Sequence, residues 1–131
     1  IVGVGVASVE EIDTLNILRA SHLAMRRAFD ALSQTPVAAI VDGNMAPDLP
    51  CPVEWVIDGD VIVPIVSAAS IIAKVERDRM MTELCAQFPG YAFSKHKGYG
   101  TPEHQDALSR HGVTEHHRRS FKPVQLALGL V

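Results

Sequence analysis

Two aspartates, Asp42 and Asp60, each stand where an apolar run gives way to a turn: Ile40-Val41-Asp42-Gly43-Asn44 and Gly59-Asp60-Val61-Ile62-Val63-Pro64. Two strands that finish in this way bring both carboxylates to one rim of a sheet. Such a rim suits hard divalent cations, which take oxygen ligands and accept open, hydrated sites. An ordinary turn aspartate bonded to its own backbone is the competing reading for each. Asp58 competes with Asp60, because two residues apart on a strand they would point the same way. The long run of small residues just downstream, from Pro64 to Lys74, favours Asp60.

Two basic clusters accompany the acids. Ser94-Lys95-His96-Lys97-Gly98-Tyr99-Gly100-Thr101 sets cations and an aromatic among glycines, a composition suited to contacting phosphate and stacking on a sugar or base. Its plainer reading is a solvated surface loop. His116-His117-Arg118-Arg119-Ser120-Phe121-Lys122 is denser and reads as phosphate contact or as a charged helix rim anchored by Phe121. The six histidines do not form a zinc site: no HExxH or Cys/His quartet occurs, and adjacent His116 and His117 would diverge on a helix. Lys74-Val75-Glu76-Arg77-Asp78 reads as a solvated helix face with local ion pairs.

The elements that must position these groups are legible from periodicity. Ile1–Ala7 is strand-like, a Val/Gly alternation that would want neighbours to pair with. Ser8 and Glu11 form a capping box, so a short helical turn should start there, ahead of the next helix. A helix is expected from about Asp13 to Leu32, with an apolar stripe of Leu15, Leu18, His22, Met25, Phe29 and Leu32 and a small-residue face of Ala20, Ala24, Ala28 and Ala31. Arg19, Arg26 and Arg27 are left for solvent or a ligand. Strands are predicted at Val37–Val41 and Val53–Ile57, joined by a proline-containing loop. The longest helix should run from Pro64 to Gln87 and bury Ile65, Ala68, Ala69, Ile72, Val75, Met80 and Leu84. Tyr91–Thr101 is expected to be a loop. Thr101 and Pro102 should open a further helix ended by Gly112, and Pro123 a last one ending near Leu128. The alternation of strand and helix argues for an α/β layer structure.

Composition sets the outer bounds. With 131 residues the chain is of one-domain size, and a net charge of −3 confines any nucleic-acid surface to a local patch. No apolar run reaches membrane-span length, so no membrane partner is expected. Cys51 and Cys85 lack metal-ligand spacing and read as reduced thiols of a cytoplasmic protein, with a disulfide between them as the alternative. The opening residues carry no signal-peptide pattern and look like the interior of a longer chain.

Taken together, these segments resemble ribonuclease HII, the type 2 RNase H family. The matching pieces are Glu11-Ile12-Asp13 with Leu15-Asn16-Ile17-Leu18 and Ala24-Met25; Val41-Asp42-Gly43-Asn44; Gly59-Asp60 with Val63-Pro64, Ser67-Ala68-Ala69-Ser70-Ile71-Ile72-Ala73-Lys74-Val75 and Arg77-Asp78; His96-Lys97-Gly98-Tyr99 with Thr101; and His116-His117-Arg118-Arg119-Ser120-Phe121 with Pro123-Val124. They occur in family order along nearly the whole chain.

The resemblance implies an RNase H-like α/β fold, a mixed sheet flanked by helices. It implies endonucleolytic cleavage of the RNA strand in RNA–DNA hybrids and at single ribonucleotides embedded in duplex DNA. The implied chemistry is two-metal-ion hydrolysis with Mg²⁺ or Mn²⁺, leaving 5′-phosphate and 3′-hydroxyl ends. By position, Asp42 and Asp60 match the third and fourth metal-binding acids, and Tyr99 the tyrosine that stacks on the deoxyribose after the ribonucleotide. His96, Lys97, Arg118, Arg119 and Ser120 fall among the implied substrate contacts. A monomer is implied for the full-length protein.

The departures from the family are specific. The first-strand Asp-Glu-Val-Gly-Arg-Gly segment, which supplies two further acids and contacts to the ribose 2′-hydroxyl, has no counterpart, nor has a downstream basic Asp-Ser-Lys-Lys segment. Asp58 takes a position often basic, and Val61-Ile62 replace more polar residues. The expectation is therefore a single domain, residues 1–131, equivalent to the C-terminal two-thirds of the catalytic domain and of little activity alone. The alternative is a non-catalytic nucleic-acid-binding module derived from the family.

Overall fold

A computed structural model describes all 131 residues, with the elements α1 (Val9–Leu15), α2 (Ile17–Asp30), β1 (Ala39–Asp42), β2 (Val53–Val56), α3 (Gly59–Ile62), α4 (Pro64–Gln87), a 3-10 turn (Pro89–Tyr91), α5 (Phe93–His96), α6 (Pro102–His111) and α7 (Lys122–Ala127). They form two compact units, Ile1–Ala73 and Lys74–Val131, with the boundary inside α4.

In the first unit the capping box is complete. Ser8 N–H donates to Glu11 Oε2 at 2.8 Å and Glu11 N–H to Ser8 Oγ at 3.2 Å. The expected short helical turn therefore starts at Val9 and extends as α1 to Leu15, so the next helix, expected from about Asp13, begins at Ile17 as α2. Asn16, at φ 77°, divides them: its N–H closes α1 on Ile12, and its Oδ1 accepts from Arg19 N–H at 3.0 Å to open α2.

Residues 1–7 have no regular secondary structure, and the strand-like opening pairs with no ladder. Burial nonetheless alternates: Gly3, Gly5 and Ala7 are half-buried and the intervening valines exposed. The two glycines lie against the backbone of α2 at Ala24 and Ala28, so the small-residue face does serve close packing. Arg27 ties the segment down and is not left for a ligand. Its Nη1 donates to the Val6 carbonyl at 2.8 Å and to Glu11 Oε2 at 2.7 Å, and its Nη2 to Glu11 Oε1 at 2.6 Å.

The hydrogen bonds from Arg27 and from Ser8 N–H hold the Glu11 carboxyl at about 2, well below its ordinary 4.5. A depressed carboxyl stabilises the folded form above the unfolded value and ceases to do so as pH falls through the folded one. Residues 1–8 are thus expected to loosen between pH 4.5 and about 2. In a Glu11→Gln variant they should be loose already at pH 7, and hydrogen exchange of their amides measures both.

The sheet is a parallel pair, with Ala39 opposite Val53, Ile40 opposite Glu54, Val41 opposite Trp55 and Asp42 opposite Val56. The first strand starts two residues later than Val37, which is 91% exposed. Pro52 explains the shift: its carbonyl accepts from Ala39 N–H at 2.9 Å, but it has no N–H to extend the ladder further back.

Asp60 is not at a strand end, which corrects the expectation from its spacing. Asp58 adopts a left-handed conformation (φ 55°, ψ 32°), turns the chain out of β2 and opens the single-turn helix α3, so Asp58 and Asp60 do not share a strand face. The long helix α4 has the predicted bounds but not the predicted buried side. Ile65 and Val75 are 72% and 60% exposed, Ala68, Ala69, Ile72 and Met80 are exposed too, Leu84 is half-buried, and Val66 is the buried residue. Its first half carries apolar residues on every side, so no stripe singles out a face.

The second unit packs around Tyr91, Phe93, Ala107, Leu108 and Val124, with Leu84, Cys85, Phe88, Val113 and Phe121 against them. The loop expected over 91–101 contains the helical turn α5, because Tyr91 and Phe93 stack (ring centroids 5.2 Å apart, 3° between planes) and draw the chain inward. Thr101 caps α6 on His104 N–H, and Gly112 follows its end, as the composition predicts. On α4, Lys74–Asp78 (2.9 Å) and Arg79–Glu76 (3.0 Å) are local ion pairs. Both cysteines are free.

Candidate functional site

In the first unit the two aspartates are neighbours. Asp42 ends β1, and its Oδ1 accepts from Gly59 N–H at 2.9 Å. Gly59 is buried, and a Cβ there would lie 3.4 Å from Asp42 Cα, 3.4 Å from Val56 Cβ and 3.5 Å from Val66 Cγ1. The turn therefore sits directly on the end of β1, and Asp60, half-buried, is the next residue in the first turn of α3. A strand end and a helical turn, not two strand ends, carry the two acidic residues. Asp58 is exposed on the left-handed turn.

These are hard oxygen donors on an accessible rim, a donor set that fits a hydrated divalent cation such as magnesium or manganese. No three His, Cys, Asp or Glu side chains gather into a metal-sized group, so the 131 residues form no closed cage of ligands.

In the second unit the two basic segments separate by burial. Tyr99 is 69% exposed, with its N–H on the His96 carbonyl at 3.0 Å. Lys97 adopts a left-handed conformation at the end of α5, and its carbonyl accepts from Arg77 Nη2 at 3.0 Å. Arg119 and Ser120 are exposed, and the Arg118 guanidinium lies 4.8 Å from the centre of the Phe121 ring, a cation–π contact. The segment 114–121 is a succession of turns and not a helix rim.

His96 stands apart from the surface set that includes it by motif. It is buried, its Nε2 lies 2.5 Å from the Tyr91 carbonyl, and its Nδ1 accepts from Gly98 N–H at 3.1 Å. Both nitrogens are engaged by backbone, so the ring braces the loop and does not face solvent. His104 and His117, which metal-ligand spacing does not single out, are buried beside it. The three-and-four spacing of His104, Ala107 and Leu108 on α6 is the signal in the sequence that points to this burial.

Comparison with known proteins draws these observations together. The family model for ribonuclease HII matches residues 3–124. The chain belongs to the ribonuclease HII family. It is 58% identical over 125 residues to a protein named ribonuclease HII from Burkholderia thailandensis, covering 95% of this chain and 58% of that protein. Proteins of the same name from Burkholderia mallei and Burkholderia pseudomallei match to the same extent. This ribonuclease HII-family chain thus spans 58% of the length of the curated relatives it matches. A crystal structure of the ribonuclease H2 from Pyrococcus horikoshii OT3 is similar with a TM-score of 0.74 at 22% identity, covering 94% of this chain and 66% of that one. The fold is accordingly the α/β RNase H-like fold. No helix is long and apolar enough to cross a membrane.

Proposed function

We propose that the chain serves as part of a metal-dependent endonuclease that cleaves the RNA strand of RNA–DNA hybrids and single ribonucleotides embedded in duplex DNA. The observation that carries this reading is the junction of Asp42, Gly59 and Asp60, set within a match to the ribonuclease HII family that extends over residues 3–124. Residues 1–131 would act as one domain, the C-terminal two-thirds of the catalytic domain, in a monomeric cytoplasmic enzyme with a part in DNA repair.

In this reading Asp42 and Asp60 hold Mg²⁺ or Mn²⁺. Bound divalent cations supply Lewis acidity toward the phosphate and a hydroxide-like water, in a two-metal site as the family resemblance implies. The chain's own residues do the rest. Gly59 N–H fixes the Asp42 carboxylate through Oδ1, leaving Oδ2 for the cation. Lys97, Arg118 and Arg119 neutralise backbone phosphates, with Ser120 donating a hydrogen bond. Tyr99 stacks on the sugar beyond the ribonucleotide. His96 stays inside as a brace. Hydrolysis breaks the bond from phosphorus to the 3′-oxygen, giving a 5′-phosphate and a 3′-hydroxyl.

The test is cleavage of end-labelled hybrid, and of duplex DNA with one ribonucleotide, in Mg²⁺ or Mn²⁺. Two proteins are compared: the 131-residue chain, and a chimera in which it replaces the matching residues of the Burkholderia thailandensis relative. The chimera is expected to cut at the ribonucleotide and the chain alone to show little or no cutting. A chimera that binds both duplexes but cuts neither would establish the alternative, a non-catalytic nucleic-acid-binding module.

A further inference from the structure

The buried histidines of the second unit form one ordered chain of hydrogen bonds. Thr114 N–H donates to His117 Nδ1 at 3.0 Å, His117 Nε2 meets His104 Nε2 at 3.0 Å, and His104 Nδ1 meets the Tyr99 carbonyl at 2.8 Å. A backbone N–H only donates and a carbonyl only accepts. His117 Nδ1 is therefore bare and its proton sits on Nε2. His104 carries its proton on Nδ1, and its Nε2 accepts from His117. His96, stacked on His104 with ring centroids 4.2 Å apart, obeys the same logic: Nδ1 accepts from Gly98 N–H and Nε2–H donates to the Tyr91 carbonyl. Each ring is neutral, and no other placement of three protons satisfies all these partners. The chain ends on the carbonyl of Tyr99, whose side chain is the most exposed aromatic ring of the unit.

We propose that His104 and His117 are positioning residues for Tyr99: their proton order grips the Tyr99 carbonyl and sets the pose in which the phenol meets nucleic acid. This rests on the substrate role given to Tyr99 above. Thr101 N–H also reaches that carbonyl, at 2.9 Å, but Thr101 belongs to the same loop, whereas His104 ties it to α6 and the core. A further proton on His104 Nε2 would face the His117 N–H, and one on His117 Nδ1 would displace the Thr114 N–H and turn to the Thr114 hydroxyl, 2.9 Å away, so it breaks the order at either ring. The ionisable groups around the pair are His96 and Tyr91, His116 next to His117, and His111 against Tyr91. Burial, then His104, His116 and His96, push His117 down to about 4, and burial lowers His104.

Nitrogen-edited NMR of the 131-residue chain tests the proton order without any variant. At pH 7 His104 should carry its proton on Nδ1 and His117 on Nε2, and His117 should stay neutral down to about pH 5. The opposite tautomers, or a doubly protonated ring at pH 7, would overturn the proposal. The positioning role is read with two substitutions of His104. Asn places an amide N–H near the Nδ1 position and retains the grip on Tyr99, whereas Gln places it near Nε2 and loses it. The probe is binding of a duplex DNA with one ribonucleotide by fluorescence anisotropy. His104→Asn should bind like the parent chain, and His104→Gln should weaken about tenfold, as much as Tyr99→Ala. Equal binding by the two His104 variants would sink the positioning role. Unchanged binding by Tyr99→Ala would instead remove the substrate role of Tyr99, and the NMR result would show whether the proton order stands without it.

Discussion

Asp60→Asn in the Burkholderia chimera is expected to lower hybrid cleavage by at least about a hundredfold while leaving binding of the hybrid intact. Asparagine keeps the size and shape of the side chain and, at a half-buried position in the first turn of α3, costs the fold little. What it removes is one anionic hard oxygen from the rim shared with Asp42. Loss of a residue that merely orients a metal ligand costs roughly 10–100-fold in affinity or activity, so loss of a ligand sets a higher floor. Asp58→Asn is the internal control. Asp58 is exposed and left-handed, a conformation asparagine accepts readily, so the turn that delivers Asp60 survives. Its expected effect is within about twofold, the scale of a surface change. Cleavage rates with each variant, normalised to bound hybrid, decide the matter. Equal losses from Asp58→Asn and Asp60→Asn would show that net charge, not a ligand at Asp60, is what matters, and the assignment of Asp60 would fall.

The features legible in the sequence are local ones. Ser8 with Glu11, Thr101 with Pro102, and Pro64 each announce a helix start within a few residues, because capping satisfies backbone donors over that distance. The starts of α4 and α6 follow from them. Asn16 is legible as a stop signal inside a helical pattern, but the apolar spacing on either side of it outweighs it. Asp60 is the harder case. The turn depends on the carboxylate of Asp42, seventeen positions upstream, catching Gly59 N–H, and no window along the chain contains both. The hydrogen bonding of the histidines is illegible for a related reason, although the spacing of His104 points to its burial. An imidazole with both nitrogens satisfied packs like an apolar ring, and only the assembled core shows which ones are satisfied. Tyr99 and the arginines are placed by motif, and their exposure is compatible with that placement without assigning them a role.

Gly5→Ala is expected to destabilise the chain by about 3 kcal/mol, the upper end of what overpacking costs. A Cβ at Gly5 would lie 2.1 Å from the Ala24 carbonyl oxygen and 2.4 Å from Ala28 N, and one at Gly3 would lie 2.2 Å from the Ala28 oxygen. Ala24 O and Ala28 N are the two ends of one helical hydrogen bond, since each N–H in an α-helix bonds four residues back. The methyl group therefore cannot be absorbed by turning a side chain. Either α2 opens at that bond or residues 1–7 lift away, and lifting also gives up the Arg27 bond to the Val6 carbonyl. Lifting is the cheaper course, because the segment has no ladder to lose. Two consequences distinguish it. Gly3→Ala combined with Gly5→Ala should cost little more than Gly5→Ala alone, because the segment detaches only once. Hydrogen exchange should accelerate at residues 1–8 and spare the middle of α2. Val4→Ala, on the exposed side of the same segment, should stay within about 0.5 kcal/mol. Denaturant unfolding of these variants measures the series. Should Gly5→Ala prove as stable as Val4→Ala, the close seating of residues 1–7 on α2 would be wrong, and the inward alternation of Gly3, Gly5 and Ala7 would lose its physical explanation.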